Sequence, residues 1–369
     1  MTGAVQSLIT IVLFVFILGV LVVIHELGHF VTARLARVRV LEFGIGFPPR
    51  AKVLRSKGET LYTLNWLPIG GFVKLEGEDG NDHHDPRSFA AQGLLTRLLI
   101  LVAGVAMNVL LAFVIFAGII WLASPYSGLR FHEVQPDSPA AAAGLQPGEA
   151  IVAINGERYQ LLTGPSMLDA LRGRAGETVI LTIDDPQQNR RDVSVTLRSQ
   201  ADVEANKGAL GISGEDRPFE AYIFGAYAQN DFPTALDVGV QETVRWMGLI
   251  VGGLGSLVGS VASDPTAPPP VAGPIGIATQ IGDIFWNSGP ILTLYVAGIL
   301  SANLAVVNIL PFPPLDGGRM LVITLKRVFG ERISLRAERL TYVVGFVFIF
   351  AFLIWITGFD IARGLSGGS

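Results

Sequence analysis

Long apolar runs, rather than alternation, dominate the chain. Residues 8–33, 94–122, 291–310 and 340–357 are mostly apolar, and each meets the roughly 20 residues a helix needs to cross a bilayer. The pattern predicts a polytopic α-helical membrane protein with about four transmembrane helices. A longer, more polar stretch separates the second run from the third. There residues 179–183 and 193–197 alternate with the period of half-buried strands, and residues 130–134 and 150–154 read as further short strands. Asn155-Gly156 supplies a turn. Residues 166–172, and the alanine run behind Ser138-Pro139, read as short helices, the second stopped by Gly144. Residues 129–213 thus form an inserted α/β module, and the sequence contains no second copy of it.

Two segments fit neither description. Residues 246–262 are uncharged but short, rich in glycine (Gly248, Gly252, Gly253, Gly255, Gly259) and followed by Pro265 and Pro268. They are expected to lie on or dip into the outer leaflet rather than cross it. Residues 61–78 carry Leu61, Leu64, Trp66, Leu67, Ile69, Phe72, Val73 and Leu75, interrupted by Pro68-Ile69-Gly70-Gly71. This reads as a hairpin dipping into the membrane face, where open strand edges survive only against protein or a water-filled cavity.

Composition supports the membrane class. Half of the 369 residues are hydrophobic and 16% are charged, against about 25% charged in soluble domains. The net charge of −4 gives no reason to expect a nucleic-acid partner. The absence of cysteine excludes disulfides, thiolate zinc sites and a cysteine nucleophile. No basic segment precedes the first apolar run and no small-residue cleavage site follows it, so it reads as a retained helix. Basic residues set the orientation. The first connection carries Arg34, Arg37, Arg39, Arg50, Lys52, Arg55, Lys57, Lys74 and Arg87, and the last carries Arg319, Lys326, Arg327, Arg332, Arg336 and Arg339. Both are expected to face the cytoplasm, with the amino terminus outside.

The chemistry concentrates at the inner end of the first run, in His25-Glu26-Leu27-Gly28-His29. Residues four apart share a helix face, so both imidazoles can reach one tetrahedral Zn²⁺, with Glu26 placed to hold a water and take its proton. Ionisable residues within a span are costly and point to a functional site. A third ligand is required. The candidates are Asp316, at the inner end of the third apolar run, and the loop Asn81-Asp82-His83-His84-Asp85. With four crossings the inner ends of the first and third runs share a side, which favours Asp316; a fifth crossing would separate it from His25 and His29.

His25-Glu-Leu-Gly-His-Phe30 and Asn308-Ile-Leu-Pro-Phe-Pro-Pro-Leu-Asp316-Gly-Gly318, both at span ends, resemble the site-2 protease family, in particular its bacterial PDZ-containing branch typified by the regulator-of-sigma-E protease. Gly104-Val-Ala-Met-Asn108 is similar to the family's GxxxN element. Residues 68–75 resemble its membrane-reentrant β-loop, and Gly273-Pro-Ile-Gly276 its segment before the third span. Residues 138–148 with Leu210-Gly211-Ile212 look like its PDZ module. The resemblance implies His25, His29 and Asp316 as zinc ligands and Glu26 as general base, with Asn308, Asn108, Gly71, Phe72 and Val73 handling substrate. It implies an intramembrane metalloprotease of the bacterial inner membrane, active near the cytoplasmic face on single-span proteins such as an anti-sigma factor or remnant signal peptides. A peptide C-terminus or regulatory protein would bind an extracytoplasmic PDZ domain. The expected divisions are 1–126 and 286–369 for the membrane core, 127–215 for the PDZ domain and 216–285 for a membrane-proximal helical segment. Larger family members carry two tandem PDZ modules; this chain has room for one.

Overall fold

The computed structural model describes residues 3–56, 58–78, 85–205, 207–213, 220–264, 266–330 and 335–365. Residues 81–84 of the candidate ligand loop lie outside them. The described residues divide into two compact units: residues 3–116 with 240–365, and residues 117–213 with 220–239.

The first unit starts with α1 (Gly3–Leu35), continues into β1 (Val40–Arg55) and β2 (Leu61–Leu75), and enters α2 (Leu94–Ala123), whose last turns belong to the second unit. β1 was not foreseen, because its run of arginine and lysine reads as a basic connection. Each of the two long strands is broken near its middle, so four extended segments lie side by side. Residues 40–45 sit opposite 71–75 on one side and opposite 61–64 on the other, while 50–55 sit opposite 62–65. One sheet edge is therefore 71–75 and the other 50–55. Thr63 and Asn65 are buried in the middle of the sheet, donating to the Glu42 carboxylate (2.7 Å) and to the Gly46 carbonyl (3.0 Å).

Where α1 meets α2, side chains give way to glycine. A methyl at Gly28 would overlap the Ala103 carbonyl, so the two backbones approach more closely than larger residues permit. Ser301 of α8 (Pro290–Asn308) donates to the Asn108 carbonyl at 2.8 Å. A methyl at Gly298 would meet Phe116 of α2.

In the second unit β3 (Ser124–Arg130) is followed by β4 (Glu133–Val134), α3 (Pro139–Ala142), β5 (Ala150–Ile154), β6 (Tyr159–Gln160), α4 (Met167–Gly173), β7 (Thr178–Asp184), β8 (Arg190–Thr196), α5 (Gln200–Glu204), β9 (Ile212–Ser213) and β10 (Glu220–Ala228). The main sheet runs β10-β3-β5-β7-β8, with β6 also on β3, and β4 pairs with β9. Its core is Phe131, Ile151, Ile154, Leu171, Leu181, Ile183 and Leu210. Ser138 and Ser166 cap the two predicted helices, accepting from Ala141 and Asp169 N–H groups, each at 3.1 Å. The strand expected over 130–134 is two strands in two sheets, divided at Phe131 and His132. The unit also reaches beyond the expected 127–215 to Gly239, because β10 pairs with β3.

The remaining helices are α6 (Phe232–Ser263), α7 (Pro274–Ser288), α8, α9 (Asp316–Phe329) and α10 (Leu335–Leu365). Among the described residues five helices are long and apolar enough to cross a membrane by length and composition: Gly3–Leu35, Leu94–Ala123, Phe232–Ser263, Pro290–Asn308 and Leu340–Arg363. The third of these begins well before the uncharged run at 246–262 and carries a buried polar contact: Tyr295 donates to Glu242 (2.7 Å), and the Trp246 indole donates to Tyr295 (2.8 Å). α7 is held at both ends. Asp360 of α10 accepts from the N–H groups of Gly273 (3.1 Å) and Gly276 (2.8 Å), and a side chain at either glycine would crowd that carboxylate. Toward its other end Trp286 donates to Thr10 of α1 at 3.3 Å.

Leu181→Ala is expected to destabilise the second unit by about 2–5 kcal/mol through cavity formation. Hydrogen exchange on the full-length protein should show faster exchange across β5, β7 and β8 with unchanged protection in α1 and α8. Equal loss in both units would show that they do not fold separately.

Candidate metal centre

α1 places His25 and His29 one turn apart, and their Nε2 atoms lie 3.1 Å from each other. Asp316 Oδ2 lies 2.9 Å from His25 Nε2 and 3.2 Å from His29 Nε2. Among the described residues these three form a group of donors able to hold a metal ion. Zinc bonds of about 2.0–2.1 Å at tetrahedral angles would set donors about 3.3 Å apart, so the cluster already has nearly the size that zinc requires.

The outer nitrogens explain why the inner ones converge. His29 Nδ1 lies 2.8 Å from the Ile100 carbonyl. A carbonyl can only accept, so Nδ1 carries the proton and Nε2 presents a lone pair. His25 Nδ1 faces the Asn108 amide at 3.3 Å, while Asn108 Oδ1 is buried without a partner. With the amide turned over, Oδ1 accepts from Nδ1–H, the orphan is satisfied, and His25 Nε2 is also left as a lone pair. Two lone pairs and a carboxylate aimed at one point repel unless a cation lies between them.

Glycines make the room. A methyl at Gly104 would overlap His29 Nε2 and crowd Cε1 of His25. Methyls at Gly317 and Gly318 would overlap the backbone of 309–313, so the two glycines let the first turn of α9 fold back against the end of α8 and deliver Asp316. Arg319, one turn on, pairs with Glu78 at 2.6 Å, and Glu78 also accepts from the Leu75 N–H at 3.0 Å. α9 is thereby tied to the end of β2.

Glu26 is next to the cluster and beside the sheet: a methyl at Gly71 would lie 3.5 Å from Glu26 Cγ. Gly71 and its neighbours Phe72 and Val73 form the edge segment 71–75, with Phe72 packed over Gly44 and Val73 against the cluster containing Ala33 and Val40. Asn108 sits behind His25, on the side away from Asp316's contact with Nε2. Asn308 is half-buried at the last position of α8. The spacing roles of Gly104 and the Glu78–Arg319 pair were not anticipated. In the sequence Gly104 shows only as part of a motif, and an ion pair between residues so far apart leaves no periodic signal.

A model of Peptidase family M50 matches residues 13–352. The chain belongs to this family, the site-2 proteases, and is a protease of that class. Among similar proteins, the zinc metalloprotease RasP of Geobacillus kaustophilus is 29% identical, the alignment covering 97% of this chain and 99% of that one. Provisionally named zinc metalloproteases of Clostridium acetobutylicum and Clostridium perfringens are each 31% identical, covering 96% and 92% of this chain and 98% and 95% of theirs.

Asn108→Ala is expected to lower metal affinity by about 10- to 100-fold, the usual cost of losing a hydrogen bond that orients a ligand. Gly104→Ala should lower it by about tenfold or more by displacing both imidazoles. Competition with a chromogenic zinc chelator measures both, and wild-type affinity in either variant would contradict the assigned packing.

Proposed function

We propose that the chain is an intramembrane zinc metalloprotease with His25 Nε2, His29 Nε2 and Asp316 Oδ2 as its ligands and Glu26 as its general base. The observation that carries this reading is the convergence of those three atoms with both outer imidazole nitrogens engaged. Zinc, when bound, supplies Lewis acidity that activates water and polarises a carbonyl. Glu26 accepts the proton released by the attacking water and delivers it to the departing amide nitrogen. Asn108 holds the His25 ring, the Ile100 carbonyl holds that of His29, and the Glu78–Arg319 pair fixes α9.

The substrates are peptide bonds within or next to transmembrane segments of single-span proteins, an anti-sigma factor or remnant signal peptides, in regulated intramembrane proteolysis. A helical substrate hides its carbonyls in its own hydrogen bonds, so it must be unwound before attack. Among the described residues, segment 71–75 has a strand partner on one side only, and it passes Glu26 at Gly71. A substrate strand added to that edge would lie beside Glu26, with Phe72 and Val73 lining its path and Asn308 facing it from the end of α8.

Four crossings account for the membrane core. Tyr295 lies 13 residues before Asn308 in α8, about 20 Å from the metal-centre end at 1.5 Å per residue. Thr10 precedes His25 by 15 residues in α1, and Asp360 follows Gly345 by 15 in α10, both about 22 Å. Gly345 itself packs on Pro313, beside the site. Hence α1, α2, α8 and α10 link the two levels. α6 near Glu242, and both ends of α7, meet the far level, so α6 follows the outer face instead of crossing. The protein is then a multi-pass protein of the bacterial inner membrane with its active site near the cytoplasmic face. The module around residues 127–215 is an extracytoplasmic PDZ domain for a peptide C-terminus or regulatory protein. Its support is the Leu210-Gly211-Ile212 turn leading into β9.

Glu26→Gln is expected to lower cleavage of a single-span substrate by a factor of about 10²–10⁴ with zinc content unchanged, assayed in reconstituted vesicles; retained cleavage would overturn the assignment. Ser263→Cys should react with a membrane-impermeant maleimide added outside sealed, right-side-out vesicles. Labelling only from the cytoplasmic side would mean that α6 crosses.

A further inference from the structure

A second site lies on the other side of α1. Leu27 and Phe30 of α1, Phe43, Ile45 and Leu54 of β1, and Tyr62 and Thr63 of β2 line an apolar cleft of about 140 Å³. Phe30, Phe43 and Tyr62 form its aromatic wall, with ring centroids 5.3–6.3 Å apart. The Thr63 hydroxyl in the lining is already spent on Glu42. Successive helix residues turn by about 100°, so Leu27 points about 200° from His25. The Leu27 side of the cleft therefore turns away from His25, while Phe30, one turn after Glu26, faces the sheet.

The strand that supplies Leu54 is also the outer sheet edge, exposed from Phe47 to Arg55. From Phe43 to Gly58 the sequence has four basic residues, Arg50, Lys52, Arg55 and Lys57, and no acidic one. Arg50 is neutralised by Glu42 at 2.8 Å, whereas Lys52 and Arg55 have no ion-pair partner among the described residues. Beside them Trp66 is 70% exposed, and Phe47 and Leu67 also project outward. Lys52 is level with Gly71 through the pairs with Leu64 and Ile45, and Arg55 is level with Val73 through Tyr62 and Phe43.

We propose that this cleft and edge bind an anionic phospholipid of the cytoplasmic leaflet, an acyl chain lying along Leu27, Phe30 and Leu54 and the phosphate headgroup resting on Lys52 and Arg55. The proposal rests on the membrane placement argued above, but not on the catalytic roles. A chain that meets only apolar walls and a headgroup that meets unpaired cations satisfy both halves of such a lipid at once. A zwitterionic lipid gains only the first.

The chain has no cysteine, so Leu54→Cys carries a single fluorophore in the full-length protein in nanodiscs. Brominated phosphatidylglycerol should quench it at about a thirtyfold lower mole fraction than brominated phosphatidylcholine, the scale expected for two cations at an anionic surface. Lys52→Glu with Arg55→Glu should abolish that preference while zinc content and thermal midpoint stay unchanged. If labelling Leu54 prevents folding, Ala51→Cys on the same exposed strand takes its place. Equal quenching by both lipids, or a preference that survives the double substitution, would overturn the proposal. Relief of quenching by a transmembrane substrate peptide would also overturn it, assigning the cleft to substrate side chains instead. None of these readouts needs cleavage, so their failure leaves the result with Glu26→Gln standing by itself.

Discussion

Three donor atoms confined within about 3 Å of one another, in a part of the chain built from membrane-length helices, set the terms for everything around them. Imidazole lone pairs and a carboxylate lose water's stabilisation there, and only a shared cation compensates all three. That demand explains why α2 presents glycine at 104 and an amide at 108, and why α9 opens on an aspartate followed by two glycines that pack against the end of α8. Each feature brings a donor atom in, turns a ring, or clears space for one.

Much of the centre was legible in the sequence because its parts are local. His25, Glu26 and His29 sit on one helical turn, and Asp316 is marked by the prolines and glycines on either side of it. The structure brings the two together. What remained hidden depends on distance in three dimensions. The Ile100 carbonyl carries no side-chain signature, and Glu78 and Arg319 meet across most of the first unit. β1 was missed because its arginines and lysines look like solvated loop, whereas exposed cations are compatible with a strand at a sheet edge.

The inserted module shows a different balance. Its alternating strands and serine-capped helices were plain, since period and capping chemistry are short-range properties. Its limits were not, because β3 and β10 join residues nearly 100 positions apart, and a pairing of that range is set by packing. α6 was likewise underestimated. The polar residues of its first half, Glu242 and Arg245 among them, break the apolar run, but Arg245 and the Tyr295 hydroxyl, which itself accepts from the Trp246 indole, accommodate that carboxylate within a continuous helix.

The path from α1 through β1 to segment 71–75 and back to Glu26 forms a closed circuit. Covalent continuity links α1 to residues 40–45, the strand ladder links those to 71–75, and Gly71 returns against Glu26. Glu26 and the sheet edge are therefore held in one frame, so that a displacement of α1 moves both together. Asp316 belongs to the same frame, because Arg319 in the first turn of α9 pairs with Glu78 at the end of β2.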